Sequence, residues 1–260
     1  MATINKIDEI KINDKFSKSY DLGYKNLDAL IGGLKDGNII TVGSRPGMGK
    51  TTFLNNIVIN LLKKYNLPIL YLSLETSKEI AALKFAGICT EQDLVKIWNN
   101  KDYSEISMNE FISKKYNLYI SDDCFNILEL EQLLEENRDI KFIVIDYIQL
   151  MKNEKPFTSV TDLSNDILDR LRYLTTKYKT IIFISSQLSR NVEYRENKRP
   201  LLVDLKNTGN LECNSDVVIL LYRDYDNKNI TEISVSKNRF CSVGITYLEY
   251  DKEKSTFIEY

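Results

Sequence analysis

The sequence predicts an α/β protein with a mostly parallel, twisted sheet, helices on both faces and a C-terminal antiparallel extension. Buried parallel strands are short and almost wholly apolar, and such runs occur at 39–42, 69–74, 118–120, 142–145, 181–184 and 217–221. Segments with helical periodicity separate these runs, as the crossover connections of a parallel sheet require. From about residue 230 the helical patterns end and three short alternating segments remain, which predicts antiparallel strands at the end of the chain.

The spacing of apolar residues predicts helices at 53–65, 77–87, 91–99, 104–115 and 126–137. A longer amphipathic helix is predicted from apolar residues at intervals of three and four, namely Val160, Leu163, Ile167, Leu171 and Leu174. Residues 21–260 contain no linker or low-complexity segment and are expected to form one domain. Residues 1–20 are polar and lysine-rich, and we interpret them as either a frayed tail or a short linker helix.

The composition is that of a globular protein from a reducing compartment. Hydrophobic residues make up 43% and charged residues 28% of the 260 residues, and a chain of this length can bury a full core. The four cysteines lack C-x-x-C spacing, which argues against a zinc site and against a disulfide scaffold. The sequence shows no apolar run of signal-peptide or membrane-spanning length. We therefore expect a cytoplasmic protein that does not associate with a membrane.

Two features of the charged residues restrict the chemistry. The sequence contains no histidine, so any proton transfer must use a carboxylate, lysine, tyrosine, cysteine or water. The formal net charge is −2, so the surface as a whole does not attract nucleic acid. Binding of DNA or RNA would require basic groups gathered at one place.

The residues after the first strand are predicted to form a phosphate loop. A strand, a glycine-containing turn and a helix direct backbone N–H groups and a helix N-terminus at a phosphate. The loop comprises Ser44, Arg45, Pro46, Gly47, Met48, Gly49, Lys50, Thr51 and Thr52. In such a loop Lys50 reaches the β- and γ-phosphates, and the hydroxyl of Thr51 binds Mg²⁺. The sequence therefore predicts a site for a nucleoside triphosphate with Mg²⁺.

The phosphate loop departs from the pattern G-x-x-x-x-G-K-[ST] at its first position. Ser44 stands where the pattern has glycine, and Gly43 precedes it. Because serine is small enough for a close phosphate approach, we interpret the loop as a variant. The alternative is a glycine-rich turn that contains Gly-Lys-Thr by chance, and the flanking strand and helix argue against it.

Asp146 is the second element of the predicted site, at the end of the apolar run 142–145. Ligands of α/β sheets bind outside the carboxyl ends of the strands. An aspartate there is expected to hold Mg²⁺, directly or through water, opposite Thr51. An aspartate after four apolar residues is common by chance, so the prediction depends on the phosphate loop beside it.

Glu75 is the predicted catalytic base. Many ATPases with a phosphate loop place a glutamate directly after the aspartate, but here Tyr147 follows Asp146. Glu75 ends the run 69–74 and is expected at the same sheet edge, where hydrolysis needs a group to orient water. The alternative is an acidic residue at a helix N-terminus, with Thr76 and Ser77 near the cap.

Further short motifs, taken in order, resemble those of the DnaB-type replicative helicases. They lie at residues 32–34, 44–52, 73–75, 145–151, 186–190, 198–200, 204–209, 222–224 and 237–239. Their order and spacing hold from about residue 21 to 250. The resemblance is specific, because RecA recombinases and KaiC-like ATPases share only the first few of these motifs.

The resemblance implies a RecA-like P-loop NTPase that hydrolyses ATP with Mg²⁺ at the subunit interfaces of a hexameric ring and moves along single-stranded DNA. It implies Glu75 as the catalytic base, Asp146 as the Mg²⁺ partner and Gln187 as the sensor of the γ-phosphate. Arg239 would be an arginine finger given to the neighbouring subunit, with Lys237 beside it. A primase or a helicase loader is an implied partner.

The resemblance also implies a DNA-binding loop at residues 206–209. Lys206, Asn207 and Gly209 are expected to hold the DNA backbone, since a glycine lets a backbone N–H approach a phosphate. Family members usually carry Arg-Glu where this chain has Lys206 and Asn207. A second basic stretch, residues 190–199, is interrupted by acidic residues, and we interpret it as a solvated loop. Binding through phosphates predicts a weak sequence preference.

The sequence predicts an ATP-dependent translocase on single-stranded DNA, the motor of a replicative helicase. The family has an N-terminal collar domain, and we expect nothing of that size before residue 21. One alternative is a RecA- or KaiC-like ATPase, for which filaments on DNA are expected. The other is an ATP-gated interaction module that acts on a replicative ring without unwinding DNA. The displacement of a DNA strand distinguishes the predicted function from this module.

Overall fold

One nine-stranded sheet forms the centre of the protein. The computed structural model describes residues 18–153, 159–208, 210–224 and 229–260. The strands are β1 (Ile39–Ser44), β2 (Ile69–Ser73), β3 (Leu118–Ser121), β4 (Phe142–Asp146), β5 (Ile181–Gln187), β6 (Val217–Arg223), β7 (Ile230–Asn238), β8 (Gly244–Asp251) and β9 (Thr256–Glu259). Their order in the sheet is β3-β2-β4-β5-β1-β6-β7-β8-β9.

The sheet is parallel from β3 to β6 and antiparallel from β6 to β9. Every neighbouring pair among β1 to β6 runs parallel, whereas β7, β8 and β9 each pair antiparallel with the strand before them. β1 occupies the middle of the sheet, between β5 and β6. The predicted fold class, with its C-terminal antiparallel extension, is confirmed.

Helices cover both faces of the sheet. They are α1 (Lys25–Ile31), α2 (Lys50–Tyr65), α3 (Lys78–Thr90), α4 (Leu94–Asn99), α5 (Lys101–Ser113), α6 (Ile127–Glu136), α7 (Val160–Tyr178) and α8 (Leu211–Asn214). Phe53 of α2 and Phe85 of α3 belong to one buried apolar cluster. Leu130 of α6 and Leu171 of α7 belong to a second cluster on the other face. None of the described helices is long and apolar enough to cross a lipid bilayer.

Several short elements were not predicted. Within the described residues, three segments form 3₁₀ helices: Ile148–Leu150, Arg190–Tyr194 and Leu202–Thr208. Helix α1 has seven residues, too few to show a helical period. It is held at its start by Asp28, whose carboxylate accepts the N–H groups of Leu22 at 2.6 Å and Gly23 at 3.0 Å. The acceptor thus lies inside the helix, where a search for an N-cap residue does not find it.

Tyr20, which precedes the predicted domain, belongs to the packed core. This buried residue pairs with Leu34 across an antiparallel bridge, and its ring packs edge-on against those of Tyr65 and Phe142 at 5.2 Å. The folded unit therefore begins at or before Tyr20, one residue ahead of the predicted domain boundary. Most of the predicted N-terminal tail or linker helix, residues 1–17, lies outside the described residues.

The parallel sheet brings the ends of four strands to one edge. Ser44 at the end of β1 is in register with Gln187 at the end of β5. Ser73 at the end of β2 is in register with Asp146 at the end of β4. This carboxyl edge is where an α/β sheet binds its ligands.

Candidate functional site

The phosphate loop connects β1 to α2 at the carboxyl edge of the sheet. Gly47 and Gly49 have φ values of 80° and 88°, in the left-handed region that glycine enters without steric cost. Gly49 is the N-cap of α2 and Lys50 is its first residue. The N–H groups of the first turn therefore lack partners within the helix and face the loop, an arrangement that binds phosphate.

Lys50 is buried at the base of the loop. Its Nζ donates a hydrogen bond of 2.9 Å to Oγ of Ser185 and lies 3.6 Å from Oδ1 of Asp146. Burial lowers the pKa of Lys50, and the negative charges of Asp146 and Glu75 act against that shift. A buried ammonium with one close carboxylate is prepared for the additional negative charge of a phosphate.

Asp146 is the centre of a group of polar atoms from four elements. Its Oδ2 accepts hydrogen bonds from the hydroxyls of Thr51 at 2.8 Å and Tyr71 at 3.1 Å. Its Oδ1 accepts a hydrogen bond from the hydroxyl of Ser185. Burial and the charge of Asp146 hold the pKa of Tyr71 well above its usual value, so the tyrosine remains a donor.

The residues around Asp146 fit a Mg²⁺ ion that is shared with a nucleotide. The carboxylate of Asp146 and the hydroxyl of Thr51 are hard oxygen donors of the kind that Mg²⁺ prefers. No group of three or more histidine, cysteine or acidic side chains within the described ranges can hold a metal. The remaining ligands would therefore have to be phosphate oxygens and water.

Ser185 and Tyr71 were missed by the sequence analysis. Ser185 directly follows the apolar run 181–184, so the rule that identified Asp146, a polar residue at the end of a buried strand, identifies it as well. Tyr71 lies within a strand run and carries no comparable signal. Only the packing of β2 against β4 brings its hydroxyl to Asp146.

Glu75 lies at the same edge, in the loop after β2. It is exposed, and one residue, Leu74, separates it from the end of the strand at Ser73. The N-cap of the following helix is Ser77, and the acidic residue of its first turn is Glu79. Glu75 therefore lies outside that helix, which weakens its interpretation as a helix N-terminal acid. Burial lowers the pKa of Lys50, and the negative charge of Glu75 opposes that shift.

Gln187 ends β5 beside the phosphate loop. Its backbone N–H donates to Oε1 of Gln149 at 3.4 Å, and Nε2 of Gln149 donates to the carbonyl of Gln187 at 3.2 Å. The same Nε2 also donates to the hydroxyl of Ser186 at 3.0 Å. Gln149 thus holds the backbone of the predicted sensor. No role was predicted for Gln149 from the sequence, although it lies within the motif at residues 145–151.

Two arginines link the phosphate loop to other elements of the fold. Arg45 belongs to the loop, and Arg223 contacts it from β6. The side chain of Arg45 forms an ion pair with Glu193 at 2.5 Å and donates to the carbonyl of Leu188 at 2.8 Å, so it points toward the segment after β5. Arg223, at the end of β6, donates to the carbonyl of Met48 at 3.4 Å. Its guanidinium lies 4.1 Å from the ring centroid of Tyr250, and burial lowers its pKa.

Lys237 and Arg239 lie at the opposite, amino edge of the sheet. Their neighbour Asn238 is in register with Val217 at the start of β6, and Val217 is in register with Ile40 near the start of β1. From Ile40 to Ser44, strand β1 spans about 13 Å at 3.3 Å per residue. The two predicted catalytic cations are therefore not brought to the phosphate loop of their own chain.

The predicted DNA-binding residues are described only in part. The backbone of Lys206 and Asn207 belongs to the 3₁₀ segment Leu202–Thr208, but their side chains and all of Gly209 lie outside the described residues. In the neighbouring basic stretch, Arg195 pairs with the buried carboxylate of Asp204. Arg199 pairs with Glu232 at 2.8 Å, another buried acid.

The chain is similar to known proteins over almost its whole length. Residues 20–259 match the model of the DnaB-like helicase C terminal domain. A probable replicative DNA helicase of Trieres chinensis is 35% identical over 260 residues, which cover 92% of this chain and 56% of that protein. The replicative DNA helicase DnaB of Buchnera aphidicola subsp. Baizongia pistaciae (strain Bp) is 32% identical over 255 residues, which cover 92% and 55%. The chain thus spans a little over half the length of these relatives.

Solved structures share the fold. One solved ATPase domain superposes with a TM-score of 0.85 at 28% identity, and the match covers 97% of this chain and 95% of that domain. A DnaB-like replicative helicase, described together with its interactions with primase, superposes with a TM-score of 0.83 at 26% identity. That match covers 97% of this chain and 64% of the helicase.

Proposed function

This chain belongs to the DnaB-like helicase C-terminal domain family, and from that membership we propose that it is the ATP-hydrolysing motor of a replicative DNA helicase, which moves along single-stranded DNA. The family predicted from the motifs is confirmed. The observation that carries the proposal is the group formed by Lys50, Thr51 and Asp146 at the phosphate loop, in which the Thr51 hydroxyl lies 2.8 Å from the carboxylate.

Within this proposal each residue of the carboxyl edge has a distinct role. Lys50 and the N–H groups at the start of α2 bind the phosphates of ATP. Thr51 and Asp146 would hold Mg²⁺, which would supply positive charge next to the β- and γ-phosphates. Glu75, exposed at the same edge, orients and deprotonates the attacking water. Gln187 senses the γ-phosphate from the end of β5, next to Ser44.

We further propose that the active site is completed by a second copy of the chain. Lys237 and Arg239 lie at the edge opposite their own phosphate loop, so they reach a phosphate only across a subunit boundary. This geometry supports a homo-oligomer in which each subunit presents its amino edge to the carboxyl edge of the next. Head-to-tail contacts form a ring when the rotation between neighbouring subunits closes, and an open helical filament when it does not. We propose a closed, hexameric ring.

The other partners follow from the relatives. We propose that Lys206, Asn207 and Gly209 hold the backbone of single-stranded DNA. A DnaB-like helicase of known structure is described with its interactions with primase, and we propose a primase or a helicase loader as a partner of this chain. All four cysteines are free thiols, which supports a cytoplasmic site of action.

The test combines two variants, each of which we expect to be inactive alone. Lys50→Ala removes the phosphate contact on one side of the interface, and Arg239→Ala removes the finger on the other. An arginine supplied in trans typically contributes about 10³–10⁵ in turnover. Mixed assemblies contain some interfaces with an intact Lys50 and an intact Arg239, so we expect part of the ATPase activity, measured with oligo-dT, to return.

Three results would contradict the proposal. If mixed assemblies form and no activity returns, or if Arg239→Ala alone is fully active, the site is not shared between subunits. If oligo-dT neither binds nor stimulates the ATPase, and no strand is displaced from a forked duplex, the interaction module described above is the better explanation.

A further inference from the structure

Asp216 connects the predicted arginine finger to the centre of the sheet. This buried residue immediately precedes β6. Its Oδ2 accepts the N–H of Ile39 in β1 at 2.8 Å and a hydrogen bond from Arg172 of α7 at 2.9 Å. Its Oδ1 accepts a hydrogen bond from the guanidinium of Arg239 at 3.2 Å, and its carbonyl accepts the backbone N–H of Arg239 at 2.9 Å.

The end of helix α8 provides a second set of acceptors for the same cations. The last carbonyls of a helix have no partner within it, and positive charge is favourable beside them. The carbonyl of Glu212 accepts from Nζ of Lys237 at 2.6 Å, and that of Cys213 accepts from Nη2 of Arg239 at 2.5 Å. The carbonyl of Asn214 accepts from Arg172.

Helix α8 is itself attached to β1. The hydroxyl of Ser215, directly after the helix, shares a hydrogen bond of 2.7 Å with the hydroxyl of Thr41 and donates to the carbonyl of Leu211 at 2.6 Å. Leu211 is fully buried. The acceptors that hold Arg239 therefore belong to a segment that is packed on the central strand β1, and not to a free loop.

The side chain of Arg239 remains available to a partner. It is 45% exposed although it contacts buried acceptors. A guanidinium has five N–H donors, and the bonds to Asp216 and Cys213 use two of them, which leaves three within the described structure. Lys237 lies beside it, and burial together with the charge of Arg239 lowers the pKa of that lysine.

We infer that Asp216 is a positioning residue for Arg239: its carboxylate, with the carbonyls at the end of α8, orients the guanidinium toward the phosphate site of the neighbouring subunit. The inference rests on the proposed function, in which Arg239 acts in trans. Asp216 acts on the same side of the interface as Arg239, because Asp216 contacts no residue of its own phosphate loop within the described structure.

The first measurement is the steady-state ATPase of Asp216→Asn, which keeps the shape of the side chain and removes its charge. We expect kcat to fall about 10- to 100-fold, the loss that corresponds to one hydrogen bond to a charged group. The KM for ATP should change less than about twofold, because Lys50 and Thr51 are intact. In an Arg239→Ala background the same substitution should have no further effect, since the group that it positions is gone.

The second measurement uses mixed assemblies to decide on which side of the interface Asp216 acts. Asp216→Asn mixed with Lys50→Ala should recover activity, because one variant offers an intact phosphate site and the other an intact finger. Asp216→Asn mixed with Arg239→Ala should recover none, because both damage the same side. Recovery in the second mixture, or a further loss in the Arg239→Ala background, would overturn the inference.

Controls separate this inference from simple destabilisation and from failure of the proposed function. Glu232→Gln neutralises another buried acid, which lies in β7 and is paired with Arg199. This control variant should keep the kcat of the unsubstituted protein. If Asp216→Asn does not fold, Asp216→Ser, which keeps an acceptor near the Ile39 amide, replaces it in both measurements.

If Lys50→Ala and Arg239→Ala fail to complement each other, the trans mechanism itself is wrong. If they do complement and Asp216→Asn does not behave like Arg239→Ala, only the positioning role is wrong.

Discussion

At the scale of single residues, the site is a buried lysine and a buried aspartate that share one hydroxyl partner. Lys50 and Asp146 both bond to Ser185, and Thr51 and Tyr71 complete the shell of the carboxylate. Glu75 is exposed at the edge of this group. Binding and water activation are thus assigned to different residues, so substitutions should separate them.

Lys50→Ala is expected to abolish nucleotide binding, whereas Glu75→Gln should preserve it and stop hydrolysis. Loss of a general base costs about 10²–10⁴ in rate, and the amide keeps the size of the side chain. Fluorescent nucleotide binding and steady-state ATPase measure the two effects separately. A Glu75→Gln protein that hydrolyses ATP at the unsubstituted rate would mean that another carboxylate is the base.

Gly49→Ala is expected to destabilise the fold more than Gly37→Ala. Both glycines have a positive φ, 88° and 87°, which costs an alanine about 1–2 kcal/mol. A Cβ at Gly49 would also lie 3.1 Å from Nη2 of Arg223 and 3.3 Å from the ring of Phe257, whereas at Gly37 it meets nothing within 4 Å. Chemical denaturation gives the difference in the free energy of unfolding, and equal losses would show that Arg223 moves away freely.

At the scale of elements, the C-terminal antiparallel extension is joined to the helix that follows the phosphate loop. Nδ2 of Asn56 in α2 donates to the carbonyl of Ser255 at 2.9 Å, and its Oδ1 accepts the N–H of Phe257 in β9 at 3.2 Å. The rings of Phe53 and Phe257 pack edge-on at 5.5 Å. The last strand of the chain therefore supports the first helix of the site.

Asn56→Leu is expected to cost about 1–3 kcal/mol for each of the two buried backbone groups that lose their partner. Asn55→Leu is the matched control one residue earlier. Asn55 is equally buried, but its Oδ1 has no hydrogen-bond partner in the described structure, so its replacement should cost about 1 kcal/mol or less. Denaturant titration of both variants measures the contrast, and an equal loss would mean that the contact between α2 and β9 adds no stability.

At the scale of the whole molecule, a formal net charge of −2 cannot by itself attract a polyanion. Within the basic stretch after β5, Arg195 and Arg199 are each paired with a buried acid. The proposed DNA binding therefore requires a small local group of cations, which we propose at residues 206–209. Affinity that depends on a few phosphate contacts is sensitive to salt.

Binding of oligo-dT is expected to weaken with salt, with a slope in log K against log salt of about −0.7 for each neutralised phosphate. Lys206→Ala should make the slope less steep by about one contact. Lys64→Ala is the control, because Lys64 pairs with Asp21 at 2.6 Å and has no proposed role in DNA binding. Fluorescence anisotropy at several salt concentrations measures the slopes. Unchanged slopes in both variants would remove Lys206 from the DNA interface.

The extent of the family match bears on the two alternative functions, the RecA- or KaiC-like ATPase and the interaction module. A RecA- or KaiC-like ATPase shares only the first motifs, but the family model matches residues 20–259 and so includes the C-terminal strands with Lys237 and Arg239. The match therefore favours the DnaB-like motor. The interaction module has the same sequence features, and only the DNA and ATPase assays described above distinguish it.

The sequence by itself determined the fold class and most of the carboxyl edge, because both depend on local patterns. Near-continuous apolar runs identify strands that are buried on both faces, and parallel strands bring their ends to one edge. Asp146 and Glu75 were predicted at this edge for that reason: Asp146 ends β4, and Glu75 lies in the loop after β2. Gln187, which ends β5, came only from the family resemblance. The phosphate loop was predicted because its residues are adjacent in the chain and its glycines allow the backbone to turn.

Only the tertiary structure decided which polar groups bond to one another. The Thr51–Asp146 bond joins residues 95 positions apart, and Lys50 reaches Ser185 across 135 positions. Periodicity indicates that a residue is buried, but it carries no information on which distant partner satisfies its polar atoms. The contacts of Asp216 with Arg239 are of this kind. They arise because β6 and β7 are antiparallel neighbours, so the end of one strand lies beside the start of the other.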